Sequence, residues 1–186
     1  MSEKPLVTQN LLKREESVLV VIDVQEKLMP AIAESRKVID NSVKLVKFAH
    51  IINLPIVLSE QDKLGATVPE IKQELTGCTP IVKITFDAFL CDEFAAHLRR
   101  LNRKTLILAG VETHVCVAQT ALHALPDFSV HVVSDAVSSR TPDNWRVGLD
   151  RARQHGAIIT STEMVIFELL KQAGTDEFKK VLQLVK

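Results

Sequence analysis

Three residues of types that carry out chemistry follow apolar segments of the sequence. Asp23 comes directly after the apolar run 18–22, Lys83 ends a second apolar run, and Cys116 lies just beyond a third, 106–109. A carboxylate at the end of so apolar a run must lie in a cleft or pair with a cation. If the runs are parallel strands, their carboxyl ends share the edge where open α/β sheets bind ligands. The sequence therefore predicts an acid, an ammonium and a thiol in one site.

Each of the three groups has a use in acyl-transfer chemistry. A free thiol is only about 3% ionised at pH 7, and a helix N-terminus and a nearby ammonium both favour the thiolate, so we expect a lowered pKa for Cys116. Asp23 could accept the thiol proton and later activate water, while Lys83 holds the developing negative charge. Backbone N–H groups at the start of the following helix could form an oxyanion hole. This set supports attack on a carbonyl carbon through a covalent thioester.

Structural roles explain the same three residues when each is taken alone. Cysteine is among the most often buried residue types, and a buried cysteine is commonly inert. An aspartate at a strand end can simply cap the next turn, and a Lys–Asp pair can be an ion pair without a reaction. Spacing alone leaves both interpretations open.

The elements that must position these residues alternate between short apolar runs and amphipathic stretches. Strands are predicted at 17–24, 55–59, 79–84, 104–110, 129–134 and 157–160. Helices are predicted at 35–53, 68–75, 92–101, 115–125 and 142–155, with two more at the end of the chain. The 142–155 helix has Thr141 as N-cap and Gly156 just past its end. Six strands separated by helices predict an α/β fold with a parallel sheet covered on both faces.

Length and composition indicate one ordinary globular domain spanning residues 1–186, with its core at about 15–170. The 186 residues are 46% hydrophobic and 25% charged, and the formal net charge is zero. No net positive field exists to collect phosphates, which argues against a nucleic-acid or acidic-membrane partner. The three cysteines do not form a secretory disulfide framework, and the N-terminus lacks the apolar segment of a signal peptide. We therefore expect a reducing cytosol.

Several common site motifs are absent from the sequence. It contains neither the dinucleotide-binding nor the phosphate-loop glycine pattern, no H-E-x-x-H and no paired C-x-x-C. It has no Tyr and one Trp, which is poor material for stacking on bases. These absences disfavour a nucleotide-cofactor enzyme, a zinc enzyme and an RNA-binding protein, and we predict no cofactor.

Three segments of the sequence resemble the isochorismatase-like cysteine hydrolase family. They are VVIDVQEKLMP at 20–30, Lys83 followed by Thr85–Phe89, and LILAGVETHVCVAQTALHAL at 106–125. GVETHVCV is the specific part, and the resemblance runs from about residue 15 to about 170. It implies a three-layer Rossmann-like fold with strand order 3-2-1-4-5-6, and dimers or larger homo-oligomers.

The resemblance also implies roles for individual residues. Asp23 would be the base, Lys83 its electrostatic partner and Cys116 the nucleophile. A cis peptide would join Val111 to Glu112, and the backbone N–H groups of Glu112 and Cys116 would form the oxyanion hole. The family's loop at Phe86 and Phe89 borders the pocket; as an alternative, both rings are core aromatics. Gln25 is expected to orient Asp23 or its loop, and to be a candidate for substrate contact.

One departure from the family bears on metal binding. Nicotinamidases of the family carry a metal-binding D-x-H after the second strand, but here that stretch reads Ser59-Glu60-Gln61-Asp62-Lys63. We therefore predict no metal. SEQDKLGATVPEI at 59–71 together with KITFDAF at 83–89 is similar instead to the branch called isochorismatase domain-containing proteins.

Two hypotheses for the function follow. The first is a metal-independent hydrolase of a small amide or related carbonyl compound. The second is a catalytically idle scaffold that binds a partner protein or small molecule. His114 and His123 are disfavoured as partners of Cys116, because residues two apart on a helix point apart and residues seven apart are about 10 Å apart along the axis. Cys91, near the Phe86–Phe89 loop, is a weaker candidate for a redox or pocket-wall role.

Overall fold

The computed structural model describes residues 11–75 and 77–185. The first ten residues, which carry most of the segment used to argue against a signal peptide, lie outside the described residues. In the described ranges, no helix is long and apolar enough to cross a membrane.

A six-stranded parallel sheet forms the centre of the fold. Its strands are β1 Ser17–Ile22, β2 Ile56–Gln61, β3 Ile81–Lys83, β4 Thr105–Val111, β5 Ser129–Ser138 and β6 Ile158–Thr160. Their order is β3-β2-β1-β4-β5-β6, which confirms the expected topology. β1 and β4 are central and buried along their whole length, as continuous apolar runs in a parallel sheet require.

Helices cover both faces of the sheet and complete the three predicted layers. They are α1 Ser35–Ile51, α2 Pro69–Lys72, α3 Asp92–Leu101, α4 Ala118–Ala124, α5 Pro142–Gln154, α6 Thr162–Leu170 and α7 Asp176–Val185. One hydrophobic core joins α1, α2, α6 and α7 to the sheet, and the other joins α3, α4 and α5 to the opposite face. The N-termini of α1 and α5 lie at the carboxyl edge of the sheet, because these helices follow β1 and β5.

The boundaries differ from the prediction in two places that matter for the site. β5 extends to Ser138, past the predicted end at 134, and an irregularity in its pairing with β4 lies between Leu108 and Gly110. The predicted helix 115–125 is a π-helical turn, Thr113–Val117, followed by α4. Thr141 caps α5 as predicted, since its side chain accepts a hydrogen bond from Asn144 N, and Gly156 has a φ of 105°.

Candidate active site

The carboxyl ends of β1 and β3 bring Asp23 and Lys83 into direct contact. Nζ of Lys83 lies 2.7 Å from Oδ2 of Asp23, and both side chains are 0% exposed. The other carboxylate oxygen of Asp23 accepts a hydrogen bond from Ser59 Oγ at 2.8 Å. β2 lies between β1 and β3 in the sheet, so Ser59, near the end of β2, is placed to hydrogen-bond Asp23.

The Lys83 ammonium is saturated with acceptors. Besides Asp23, it donates to Oε1 of Gln61 at 2.8 Å and to the carbonyl oxygen of Thr85 at 3.2 Å. An ammonium has three donors, and all three are used. Such complete pairing is what allows two opposite charges to remain ionised without solvent.

Cys116 lies in the π-helical turn that follows β4. The N–H groups of Val115 and Val117, on either side of Cys116, donate to the carbonyl oxygen of Glu112 at 2.8 and 3.3 Å. π-helical turns are rare and frequently found at functional sites. The thiol is largely buried, with Cys116 4% exposed.

The expected cis peptide between Val111 and Glu112 is not present, and the described residues contain no cis peptide bond. The chain instead passes from β4 into the turn through an unusual backbone conformation at Glu112. Glu112 adopts left-handed backbone angles, with φ 58° and ψ 58°. This conformation is uncommon for a residue with a side chain and marks the point where β4 gives way to the turn.

Two glycines allow the close backbone approaches on which this arrangement depends. A Cβ atom on Gly110, in β4, would lie 2.1 Å from the carbonyl oxygen of Ile22, the residue before Asp23. A Cβ atom on Gly148, in α5, would lie 2.8 Å from the backbone of both Thr113 and His114. Gly110 therefore sets β4 against the end of β1, and Gly148 lets α5 pack directly on the turn that carries Cys116.

Burial controls the ionisation of Cys116. It raises the pKa of the Cys116 thiol to about 12, the negative charge of Asp23 acts in the same direction, and the Lys83 ammonium opposes them. The nearby Asp23 side chain and the charge of Glu112 raise this pKa further. The expected lowering of the pKa is thus reversed, because the loss of solvent around the sulfur outweighs the ammonium. At neutral pH the resting group is a thiol.

Gln25 holds the loop beside Asp23. Its Nε2 donates to the carbonyl oxygens of Gln61 and Gly65 at 2.9 and 2.7 Å, and its Oε1 accepts from Gln61 N at 2.8 Å. Gln25 is 0% exposed. Because both amide hydrogens are used internally, we place Gln25 among the residues that fix the loop rather than among those that meet a substrate.

The structure separates the two phenylalanines that follow Lys83. Phe86 is 55% exposed. Phe89 is partly buried and stacks on His123, with the ring centroids 5.1 Å apart, and it meets Phe94 edge-on at 5.5 Å. Phe89 therefore packs as a partly buried aromatic on α3 and α4, whereas the exposure of Phe86 shows that the core-aromatic alternative is wrong for that ring.

Both histidines near Cys116 in the sequence are engaged by other groups. Nδ1 of His114 lies 3.0 Å from Ser139 Oγ, and Nδ1 of His123 lies 2.7 Å from Oδ2 of Asp87. The three cysteines of the chain are free. Neither histidine ring is hydrogen-bonded to the thiol, in agreement with the argument from helical spacing.

Sequence reasoning missed Ser59 and Gln61, which hydrogen-bond the buried pair. Both lie in β2, close to the end of that strand. The rule that selected Asp23 and Lys83, polar groups at the carboxyl ends of parallel strands, would have selected them too. Arg140, which donates from Nε to Oε1 of Glu112 at 2.9 Å, carries no comparable signal in the sequence.

A cavity of about 230 Å³ opens at the same edge of the sheet. It lies between the first residues of α1 and α5, and its walls include Val38, Ser138 and Trp145. Ser138 pairs in register with Val111, the residue before Glu112. The cavity is thus one strand away from the turn that holds Cys116.

Comparison with known proteins identifies relatives along nearly the whole chain. The family model described as Isochorismatase domain matches residues 17–164. A Phytophthora sojae protein described as secreted isochorismatase effector Isc1 is 44% identical over 91% of this chain and 84% of its own length. Mouse isochorismatase domain-containing protein 2A is 35% identical over 92% of this chain and 84% of its own length.

Solved structures with the same fold carry varied descriptions. MAR1 ribonuclease from Caenorhabditis elegans is 33% identical, with a TM-score of 0.88 over 94% of this chain and 92% of that one. YcaC from Pseudomonas aeruginosa, with covalent acrylamide, is 26% identical, with a TM-score of 0.89 over 95% and 92%. YcaC from Escherichia coli, described as an octameric hydrolase of unknown specificity, is 27% identical, with a TM-score of 0.88 over 97% and 92%. With the family model and the relatives in agreement, the chain belongs to the isochorismatase family, in the branch of isochorismatase domain-containing proteins.

Proposed function

We propose that this protein is a metal-independent hydrolase that uses Cys116 as a nucleophile on small amides or related carbonyl compounds. The observation that carries the proposal is a buried thiol whose ionisation depends on the charges of a buried, fully paired Asp23–Lys83 couple. An isolated structural cysteine does not require an ion pair beside it. Membership of a family of hydrolases adds support.

The first half of the reaction follows from the protonation state of Cys116. Because its pKa is raised to about 12, the thiolate must form during attack rather than before it. Asp23 accepts the thiol proton as the sulfur bonds to the carbonyl carbon. The carbonyl oxygen becomes an oxyanion, which the backbone N–H groups of Glu112 and Cys116 stabilise. The tetrahedral intermediate collapses, Asp23 gives its proton to the departing amine, and a thioester remains.

The second half of the reaction returns the enzyme to its resting state. Asp23 takes a proton from water as the water oxygen adds to the thioester carbon. Collapse of that intermediate releases the carboxylic acid, and the proton returns to the Cys116 sulfur. Lys83 keeps Asp23 in place throughout and offsets the negative charge that passes between the carboxylate, the oxyanion and the sulfur.

An idle scaffold is the second candidate, and the burial of Cys116 favours it. A thiol that is 4% exposed reaches a substrate only if the residues above it move or the substrate displaces them. Under this hypothesis the same edge of the sheet binds a small molecule or a partner without turnover. The two candidates differ in one measurable respect, the formation of a covalent adduct on Cys116.

Trapping a covalent adduct is the experiment that separates the candidates. The protein is incubated with acrylamide, which is covalently bound in the P. aeruginosa YcaC structure. In parallel it is incubated with a panel of small amides and esters. Mass spectrometry of the peptides then locates any added mass. The hydrolase proposal predicts adducts on Cys116, turnover of at least one panel member, and loss of turnover in Cys116→Ala with an unchanged circular dichroism spectrum. Turnover that survives in Cys116→Ala refutes the nucleophile.

Three additions to the panel address other chemistries. Isochorismate tests the activity in the description of the P. sojae relative, an isochorismatase effector, and RNA tests the ribonuclease activity named for the C. elegans structure. EDTA treatment tests metal independence, since the hydrolase proposal predicts unchanged turnover. Strong inhibition by EDTA would require a metal in the reaction.

We also propose that the protein is a homo-oligomer that works in a reducing compartment. The octameric E. coli relative supports the first part, and the three free thiols support the second. The mass of the native protein by light scattering tests the assembly, with a monomer as the contrary result. Fractionation of cells that express the protein tests the compartment.

A further inference from the structure

The carboxylate of Glu112 is buried beside the turn of Cys116, and only one of its oxygens is hydrogen-bonded. The side chain is 5% exposed, and Arg140 Nε donates to Oε1 at 2.9 Å. Oε2 is buried and has no hydrogen-bond partner within residues 11–75 and 77–185. A buried acceptor without a donor costs free energy, so a folded protein that keeps one in its active site needs a reason for it.

His114 does not fill this position. Its Nε2 lies 3.6 Å from Oε2 of Glu112, which is too long for a hydrogen bond. The ring is held from its other side by Ser139 Oγ, 3.0 Å from Nδ1. Arg140 is 64% exposed and approaches the other oxygen. Oε2 therefore receives a hydrogen bond from neither side chain, although His114 lies within ion-pair distance of it when its ring is protonated.

Thr113, the residue after Glu112, also has a buried polar atom without a hydrogen-bond partner in the described part of the chain. The residue is 1% exposed, and the atom is its hydroxyl oxygen. Glu112 and Thr113 are consecutive, and they lead directly into the turn that carries Cys116. Two consecutive residues before the nucleophile therefore each keep a buried polar atom without a partner, which calls for an explanation such as a polar group of a ligand.

Glu112 also precedes directly the π-helical turn that carries the sulfur. The carbonyl of Glu112 closes the turn around Cys116 through two hydrogen bonds. The charge of Glu112 is among the causes that raise the pKa of the Cys116 thiol. The Glu112 carboxylate is therefore within electrostatic range of the sulfur that attacks a substrate under the proposed function.

We propose that Glu112 determines substrate specificity by accepting, through its free Oε2, a hydrogen bond from an N–H group of the substrate. This inference rests on the proposed hydrolase function and narrows it. The preferred substrates are small carbonyl compounds with an amino, amidino or ureido nitrogen near the carbonyl that is attacked. A nitrogen donor suits the site because an ionised carboxylate makes its strongest hydrogen bonds with charged or polarised N–H groups. Compounds with an anionic group in that place are excluded.

Thiol-specific methanethiosulfonates test the inference without a known substrate. These reagents transfer their RS group to a thiol, so that Cys116 becomes a mixed disulfide and methanesulfinic acid leaves. The 2-aminoethyl reagent is cationic and donates hydrogen bonds, the 2-(trimethylammonio)ethyl reagent is cationic without N–H donors, and the 2-sulfonatoethyl reagent is anionic. Rates at Cys116 are measured by peptide mass spectrometry and divided by the rates for free cysteine.

The expected order is aminoethyl, then trimethylammonioethyl, then sulfonatoethyl. The amino reagent should exceed the trimethylammonio reagent by about tenfold, as expected for one hydrogen bond to a charged group. Glu112→Gln should abolish most of this preference, because an amide that keeps its oxygen on Arg140 turns an N–H₂ group toward the substrate. Glu163→Gln, which removes an exposed glutamate on α6, is the matched control and should keep the preference.

The results distinguish a failure of this inference from a failure of the hydrolase. Modification of Cys116 at equal normalised rates by the amino and trimethylammonio reagents, or an unchanged preference in Glu112→Gln, overturns the role of Glu112 and leaves the nucleophile intact. No modification of Cys116 by any reagent up to pH 9, with Cys91 fully modified, overturns both proposals.

Discussion

Lys83 and Asp23 form an ion pair 2.7 Å long from which solvent is excluded. Every hydrogen of the ammonium has an acceptor, and both carboxylate oxygens have donors. The pair therefore meets the condition under which opposite charges persist in a protein interior. It also means that neither charge can be removed alone without leaving the other unpaired and buried.

The first prediction concerns that dependence. Lys83→Met should lower the free energy of unfolding by about 3–5 kcal/mol, because it leaves the Asp23 carboxylate buried without its cation. The double variant Lys83→Met/Asp23→Leu should recover much of this loss. Urea unfolding at pH 7.5 measures both. A loss below about 1 kcal/mol in the single variant would mean that Asp23 is solvated or protonated in the folded protein.

The second prediction concerns the pH dependence of Cys116. With its pKa raised to about 12, the alkylation rate of Cys116 by iodoacetamide should rise about tenfold per pH unit from pH 7 to pH 9.5, without a plateau. The same cysteine in the urea-unfolded chain should level off as the pH passes about 8.5, the ordinary thiol value. A midpoint below pH 8 in the folded protein would show that a thiolate already exists at rest.

The third prediction concerns Gly148 as a positioning residue. Gly→Ala inside a helix usually stabilises a protein by about 1 kcal/mol. Here the new Cβ would lie 2.8 Å from the backbone of the turn that holds Cys116. Gly148→Ala should therefore lower stability, lower kcat at least about tenfold with a smaller change in KM, and alter the pH profile of Cys116 alkylation.

Arg151→Ala, on an exposed part of the same helix, is the control for Gly148→Ala and should leave kcat unchanged. If Gly148→Ala is as active as the parent protein and more stable, α5 can shift without moving the nucleophile.

The fourth prediction concerns His131, which is 3% exposed and lies near the start of β5. Burial lowers the pKa of its imidazole to about 4 from an ordinary value of 6.5. Above pH 6.5 the ring is neutral in both states, and between pH 6.5 and 4 only the unfolded chain gains the proton. Stability should therefore fall as pH falls through this window, by about 2 kcal/mol at pH 5 from this group.

Urea midpoints at pH 7.5 and pH 5 measure the contribution of His131. His131→Gln should show a smaller difference between the two midpoints than the parent protein, whatever its stability at pH 7.5. His155→Gln, at an exposed position, should retain the full difference. An unchanged difference in His131→Gln would assign the acid sensitivity to other groups.

Strand positions and the contact of Asp23 with Lys83 could be predicted from the sequence because they depend on apolar runs and on parallel topology. The end of β5 could not, because Asp135 interrupts the apolar run while the strand continues to Ser138. The prediction of helix from 115 onward followed apolar spacing, which does not distinguish a π-helical turn from an α-helical one. The resemblance, not the residues, led to the cis peptide that the structure lacks.

The ionisation of Cys116 shows a different limit. The sequence identifies the charged neighbours that favour a thiolate, but burial depends on how Gly110 and Gly148 let three backbone segments approach one another. The sequence shows only the two glycines and does not indicate which backbone segments they allow to approach each other. The free oxygen of Glu112 is equally invisible there, since it depends on which side chains fail to reach it.

The three hydrogen bonds of Gln25 have a consequence for protein engineering. The segment from Gln61, the last residue of β2, to Gly65 is held at both ends by Gln25. It is tied to the loop that follows β1 through the side-chain amide of Gln25, and the side chain of Gln61 is at the same time an acceptor for Lys83. A designer who rewrites this segment can keep the contacts of Gln25, because they use only backbone atoms, but must retain Gln61 or supply another acceptor for the Lys83 ammonium.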